Sequence, residues 1–291
     1  MQYEDGAKLD PSQVGGGGGG GRRGGGIAIG GGGAIIVIIL ALVFGFDPSV
    51  ILGGGTTDQP VQPGESQTTL QNCQNVKDIE TDRNCRYVAY TNSIQAYWET
   101  KLEGYQVTKI NPFTSQVSTG CGQASAESGP FYCPQDQQVY LDIEFLDQLL
   151  SQLGAQGGDA AEAYVVAHEF GHHVQNLTGV MAEAQQDRST GPKSAGVRLE
   201  LQADCLAGTW FANEQNVAGS PVGDFTEQDL NAAVDAARAV GDDRIQQQSG
   251  GGVNPDGWTH GSSEQRRKWL QVGYSTGDPG KCDTFNTDNL G

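Results

Sequence analysis

The segment His168-Glu169-Phe170-Gly171-His172 sets two imidazoles four residues apart, with a carboxylate beside the first. An apolar run from Tyr164 to Ala167 leads into it without a proline, which predicts a helix. On a helix, positions i and i+4 lie one above the other, so both rings can offer a nitrogen to one metal ion. Glu169 then projects beside that ion, where a carboxylate can take a proton from a metal-activated water. This H-E-x-x-H spacing points to zinc (Zn2+) as cofactor, His168 and His172 as ligands and Glu169 as general base. The plainer alternative is a pair of histidines with ordinary hydrogen bonds at a helix surface or in a core. His173 cannot share the face of His172 and reads as support behind the ligands or as packing.

A catalytic zinc takes a third protein ligand and keeps one position for water. The stretch Arg198 to Gly208 looks helical, with Leu199, Leu206 and Trp210 on an apolar stripe. Within it Glu200 and Asp204 stand at i and i+4, both carboxylates on one face. One can bind the metal while the other accepts the free ring N–H of a ligand histidine and fixes its tautomer. Glu200 is assigned as the ligand; Asp204 in that place with Glu200 outside, or an acidic pair on a solvated face, are the alternatives. The chain has four histidines, and the last, His260, precedes Ser262-x-x-Gln265, a capping box that opens a helix from Ser263 to about Tyr274. A histidine just ahead of a helix can reach into a cleft and donate to a developing oxyanion; the alternative is a surface turn. Arg266 serves the same end or pairs with an acid.

Other elements must position these groups. Val88 to Leu102 carries apolar residues near helical spacing and reads as a packing helix, with Tyr97 and Trp98 in the core. Two short strands, Pro130 to Cys133 and Gln138 to Leu141, are joined by a polar turn. An exposed edge strand next to a metal helix would let an extended peptide add on through its main chain. Ile143 to Leu153 is an amphipathic helix, ended by glycines, and Asp159 is expected to cap the metal helix, Ala160 to about Leu177. The acidic helical stretch Thr226 to Val240 belongs to no motif.

The net charge of −18, from 35 acidic and 17 basic residues, gives a surface that repels nucleic acid and anionic lipid, so nucleic acid is excluded as a partner. Six cysteines without a C-x-x-C pair argue against a zinc ribbon and, in an oxidising compartment, for disulfides. Cys73 and Cys85 are close enough in sequence to staple a loop, and Cys121 and Cys133 could bridge across the segment from Gly120 to Cys133.

Residues 1–26 are polar and then almost wholly glycine, interrupted by Arg22 and Arg23, which predicts a disordered leader. Residues 27–46 carry no charge and end in a near-continuous apolar run, the composition of a transmembrane helix. Lys8, Arg22 and Arg23 before it would keep the N-terminus cytoplasmic and put the bulk of the chain outside the cell membrane, as a single-pass protein. Residues 47–70 then read as a flexible linker, and 71–291 as the catalytic domain, with order beginning near Cys73.

Together these residues resemble the bacterial family of membrane-anchored neutral zinc metallopeptidases. The carriers are the Gly-rich leader with its apolar span, Gly129 to Pro134, Val139 to Asp142, His168 to Gln175, Glu200 to Cys205, Thr259 to Arg266 and Cys282 to Phe285. The wider likeness is to thermolysin-type peptidases. It implies Glu200 as third ligand, Asp204 behind His168 or His172, His260 steadying the transition state, and a bridge between Cys205 and Cys282. The expected fold is α+β, a mostly helical zincin-like domain with a small β-sheet. The expected function is hydrolysis of a peptide or protein substrate by a membrane-tethered enzyme through a zinc-activated water. Two alternatives are a zinc-stabilised extracytoplasmic scaffold, its metal closed by a fourth side chain such as His173 or Asp204, and a hydrolase of some non-peptide bond.

Overall fold

In this computed structural model, residues 1–15, 70–250 and 252–291 are described. Its axis is a helix buried on nearly every face, with several of its polar side chains buried alongside the apolar ones. In chain order the helices are α1 (Cys85–Lys101), α2 (Ile143–Gln152), α3 (Asp159–Leu177), α4 (Val180–Ala184), α5 (Ala195–Asn213), α6 (Glu227–Ala239), α7 (Asp242–Gln248) and α8 (Ser263–Thr276). The buried axis is α3, packed against α1, α5 and α6, while α8 lies along α5.

Local sequence starts each of the site-bearing elements. Ser194 caps α5 by accepting from the Val197 N–H, Thr226 and Asp229 form a capping box on α6, and Ser262 and Gln265 form another on α8. The start of α3 departs from expectation. Its N-cap is Gly158 and Asp159 is its first residue, making no capping bond. The Asp159 carboxylate instead receives the Tyr3 hydroxyl (3.0 Å) and the Arg83 guanidinium (2.6 Å). The crossing of α5 and α8 depends on glycine. A Cβ on Gly273 would overlap the Cys205 carbonyl oxygen, and one on Gly208 would overlap that of Leu270, so the two backbones touch.

Five short strands among the described residues complete the α+β fold. β1 (Ile110–Pro112) lies parallel to β5 (Gln138–Leu141), and β4 (Phe131–Cys133) lies antiparallel on the other side of β5. β2 (Gln116–Thr119) and β3 (Gly122–Ser125) form a separate hairpin. β4 and β5 are the two strands expected from their alternation; β1 and the hairpin are additions. Three disulfides close the frame: Cys73–Cys85, Cys121–Cys133 and Cys205–Cys282.

Residues 1–15 do not behave as a leader. Leu9 and Val14 are buried in the same core as α1 and α3. The Leu9 N–H donates to the Gln74 carbonyl (2.9 Å), the Gly15 N–H to that of Ile110 (2.8 Å), and Gln71 Nε2 to that of Val14 (2.8 Å). The expected span, 27–46, and the linker up to residue 69 lie outside the described residues, while Leu70, the linker's last residue, is buried in the core; no helix among the described residues is long and apolar enough to cross a membrane. The single-pass arrangement is corrected on this ground. One crossing between residues 15 and 70 would place them on opposite sides of a bilayer, whereas the two segments are hydrogen-bonded to one another.

Glu214, at the C-terminal end of α5, is a buried carboxyl that forms no ion pair with a cation among the described residues. Its Oε1 accepts from Ser93 (3.2 Å) and Ser220, while Oε2 has no hydrogen-bond partner among the described residues. Burial pushes its pKa from 4.5 up to about 7. The folded state thus holds this proton more tightly than the unfolded chain, so the stability is full below 4.5 and is lost as pH rises through 7. Glu214→Gln is expected to remove that loss, gaining about 1–3 kcal/mol over wild type at pH 8 and little at pH 4.5. Denaturant unfolding at the two pH values checks it.

Candidate active site

His168 and His172 leave the same face of α3 toward α5. His168 Nε2 lies 3.2 Å from Glu200 Oε2 and His172 Nε2 lies 3.5 Å from Glu200 Oε1. One donor atom from each of these three residues falls within 4.8 Å of the others, a group that could hold one metal ion. Two imidazoles and a carboxylate suit zinc as a donor set.

The opposite nitrogen of each ring is engaged by the protein. His168 Nδ1 meets Asp204 Oδ1 at 2.9 Å, and His172 Nδ1 donates to Gln175 Oε1 at 2.8 Å, so both rings turn Nε2 toward Glu200. Gln175 is held in turn by α5, donating to the Leu199 carbonyl (2.7 Å) and to Gln202 Oε1 (3.1 Å). Asp204 is fully occupied. It accepts from the Tyr164 hydroxyl (2.5 Å) and takes a two-pronged contact from Arg266, Nε to Oδ2 and Nη2 to Oδ1, each 2.8 Å. This leaves Glu200, not Asp204, on the Nε2 side of the two rings. Arg266 pairs with an acid, the second of its two sequence-level readings, while still lining the cleft.

The electrostatics follow from that packing. Burial opposes charge on His168, but Asp204 outweighs it and raises the ring to about 9, a field that favours a cation at Nε2. Burial likewise opposes ionisation of Glu200, yet the His172, His168 and His260 rings hold its carboxyl well below the usual range. Glu169 is 5% exposed, and burial raises its pKa against the pull of the two histidines. A carboxyl raised in this way holds a proton more readily than a free one.

His260 lines the same cleft as Glu169 and Glu200, with Gly129 and Pro130, just ahead of β4, at its rim. Its main chain is clamped by Asp242, whose Oδ2 accepts the N–H groups of Thr259 (2.7 Å), His260 (2.7 Å) and Gly261 (3.0 Å). Asp242 Oδ1 also lies 3.2 Å from His260 Nδ1. Burial lowers the His260 pKa, but Asp242 and Glu200 raise it by more. His173 stays outside the group: Nε2 donates to the Gln106 carbonyl (2.6 Å) and Nδ1 faces the Tyr132 hydroxyl (3.0 Å), tying β4 to α3.

Three supporting residues escape a reading by motif. Tyr164 and Gln175 stand four before His168 and three after His172, at helical spacing that could have marked them. Asp242 has no such signal, since it joins His260 from a different helix, 18 residues away.

An H-E-x-x-H helix packed on a Glu-x-x-x-Asp helix, within a mostly helical α+β domain, defines a class of metal-site protein. The chain belongs to the family described as "putative neutral zinc metallopeptidase", which matches residues 5–285. It is 48% identical over 262 residues to the "Uncharacterized protein Rv2575" of Mycobacterium tuberculosis (strain H37Rv), covering 86% of this chain and 87% of that one. It is 39% identical over 240 residues to the "Uncharacterized protein YpfJ" of Escherichia coli (strain K12), covering 81% of each. No solved structure matches it.

The approach of α3 to α5 sets the group. A Cβ on Gly171, between the two histidines, would stand 3.0 Å from Ala203 Cα and 3.1 Å from the Ala203 carbonyl oxygen. Gly171→Ala is therefore expected to push the helices apart, costing about 1–3 kcal/mol. The same variant should release zinc at lower chelator concentration than wild type, read by thermal unfolding and a chelator titration.

Proposed function

We propose that the protein is a zinc-dependent peptidase with a zincin-like active site, and that His168, His172 and Glu200 are its metal ligands. The observation that carries this reading is the convergence of both Nε2 atoms on Glu200, with Glu169 and His260 lining the same cleft. Zinc held there supplies Lewis acidity, polarising a substrate carbonyl and acidifying water.

The chain's own residues account for the rest. Glu169 takes the proton of the attacking water as its oxygen bonds to the carbonyl carbon, then passes it to the leaving amine as the C–N bond breaks. His260, held by Asp242, donates from its protonated form to the oxyanion that develops on the carbonyl. Asp204 and Gln175 fix the tautomers of the ligand histidines, so neither ring can turn its N–H toward the metal. The rim at Gly129 and Pro130 leads into β4, an edge strand on which an extended peptide can lie.

The metal group among the described residues has three donors. Both ring nitrogens of His173 and both carboxylate oxygens of Asp204 are engaged elsewhere. That supports a catalytic site over a scaffold whose metal is closed by a fourth side chain.

Glu169→Gln is expected to retain one equivalent of zinc by metal analysis while peptide hydrolysis falls by about 10³-fold. Undiminished hydrolysis would refute the assigned base. Asp242→Asn should also keep its zinc, with kcat lowered by about 10- to 100-fold and KM little changed in steady-state assays, because its effect passes through His260 to the transition state.

A further inference from the structure

His173 is buried, only 1% exposed, and the hydrolytic scheme makes no use of it. It directly follows the ligand His172. Successive residues of a helix point about 100° apart, so one ring meets the metal group and the next faces another layer. That layer is the three-stranded sheet. His173 Nε2 donates to the Gln106 carbonyl (2.6 Å), four residues ahead of β1, and Nδ1 lies 3.0 Å from the Tyr132 hydroxyl in the middle of β4. With its one N–H committed to Gln106, the neutral ring accepts the Tyr132 proton at Nδ1.

The Tyr132 oxygen accepts in turn from Asn176 Nδ2 (3.0 Å), three residues on from His173 and on the same face of α3. Two side chains of the metal helix thus converge on one hydroxyl of the edge strand. The rings pack as well, His173 lying 5.4 Å from the Tyr132 ring and 5.5 Å from that of Tyr105. Side chains alternate along a strand. Tyr132 enters the main core, while Phe131 and Cys133 join a separate cluster in which the Phe131 ring stacks on Tyr140 at 5.3 Å. β4 therefore rests on α3 through Tyr132.

We propose that His173 is a positioning residue for extended substrates, a role that rests on the peptidase reading above. Through Tyr132 it sets how far β4 stands from the metal helix, and with that where a peptide main chain laid along β4 meets the metal group. β4 continues from Gly129 and Pro130 at the cleft rim, so a displacement of the strand is carried into the cleft. A substrate too short to run along β4 feels little of it.

Zinc-loaded protein is assayed on the octapeptide it cleaves fastest from a randomised pool, and on the blocked dipeptide spanning the same bond. Tyr132→Phe removes one oxygen and keeps the ring. It should lower kcat/KM for the octapeptide about 10-fold more than for the dipeptide, through KM rather than kcat, with zinc content unchanged. At position 173 two amides separate the link from simple packing. Asn sets its amide near the place of Nδ1 and retains the bond to Tyr132, whereas Gln sets it near Nε2 and retains Gln106 alone. His173→Gln should therefore repeat the loss seen in Tyr132→Phe, and His173→Asn should recover most of it although Asn is the smaller residue. Hydrogen exchange at the β4 amides, which needs no turnover, should quicken in Tyr132→Phe and His173→Gln and less so in His173→Asn. Equal losses on the two substrates, or a His173→Asn protein worse than His173→Gln, would overturn the positioning role and leave the peptidase reading standing. A wild type that cleaves no peptide of the pool would end the peptidase reading, and this role with it.

Discussion

The carboxylate of Asp204 is the point on which three helices agree. It is wholly buried on α5, yet it is paired with Arg266 of α8 and hydrogen-bonded by Tyr164 and His168 of α3. A buried charge is tolerated only when its partners are in place, because stranding it costs several kcal/mol. The pairing therefore fixes how α3, α5 and α8 sit against one another. The same lattice of bonds sets the tautomer of His168 and brings Glu200, one turn earlier on α5, onto the two Nε2 atoms.

Close backbone approach makes that lattice reachable. Glycine at 208 and 273 lets α5 meet α8 at distances a side chain would forbid, and Gly171 brings α3 so near Ala203 of α5 that a methyl there would be tight. The disulfide from Cys205 to Cys282 then pins the C-terminal segment across α5, beside Asp204. Gln202 donates to the Cys282 carbonyl and also accepts from Gln175, the residue behind His172. The tail is thus bonded, through two glutamines, to the ring it never touches.

Much of this was legible in the sequence because it is local. The i, i+4 spacing of His168 and His172, the Glu200 and Asp204 pair, and the capping box at Ser262 all repeat at helical period. β4 and β5 showed as short runs around a polar turn. The choice between Glu200 and Asp204 was not legible, since both share a face. What sets Asp204 apart is its bonding to Tyr164 and Arg266, partners from two other helices that no periodicity encodes. Asp242 was invisible for a related reason: its bonds run to the loop ahead of α8 and belong to no repeat. The parallel pairing of β1 with β5 is equally non-local.

The first fifteen residues misled because their apolar content is thin, little more than Tyr3, Leu9 and Val14 amid polar neighbours. Those few side chains nonetheless fill positions in a core built by residues far along the chain, with Val14 bridging to Ile110 and Tyr3 to Val222. The segment works as a clasp whose grip is non-covalent. Scission of the backbone between Gly15 and Leu70 would yield two pieces that still share one interior, and the smaller would stay seated as a peptide subunit of the larger.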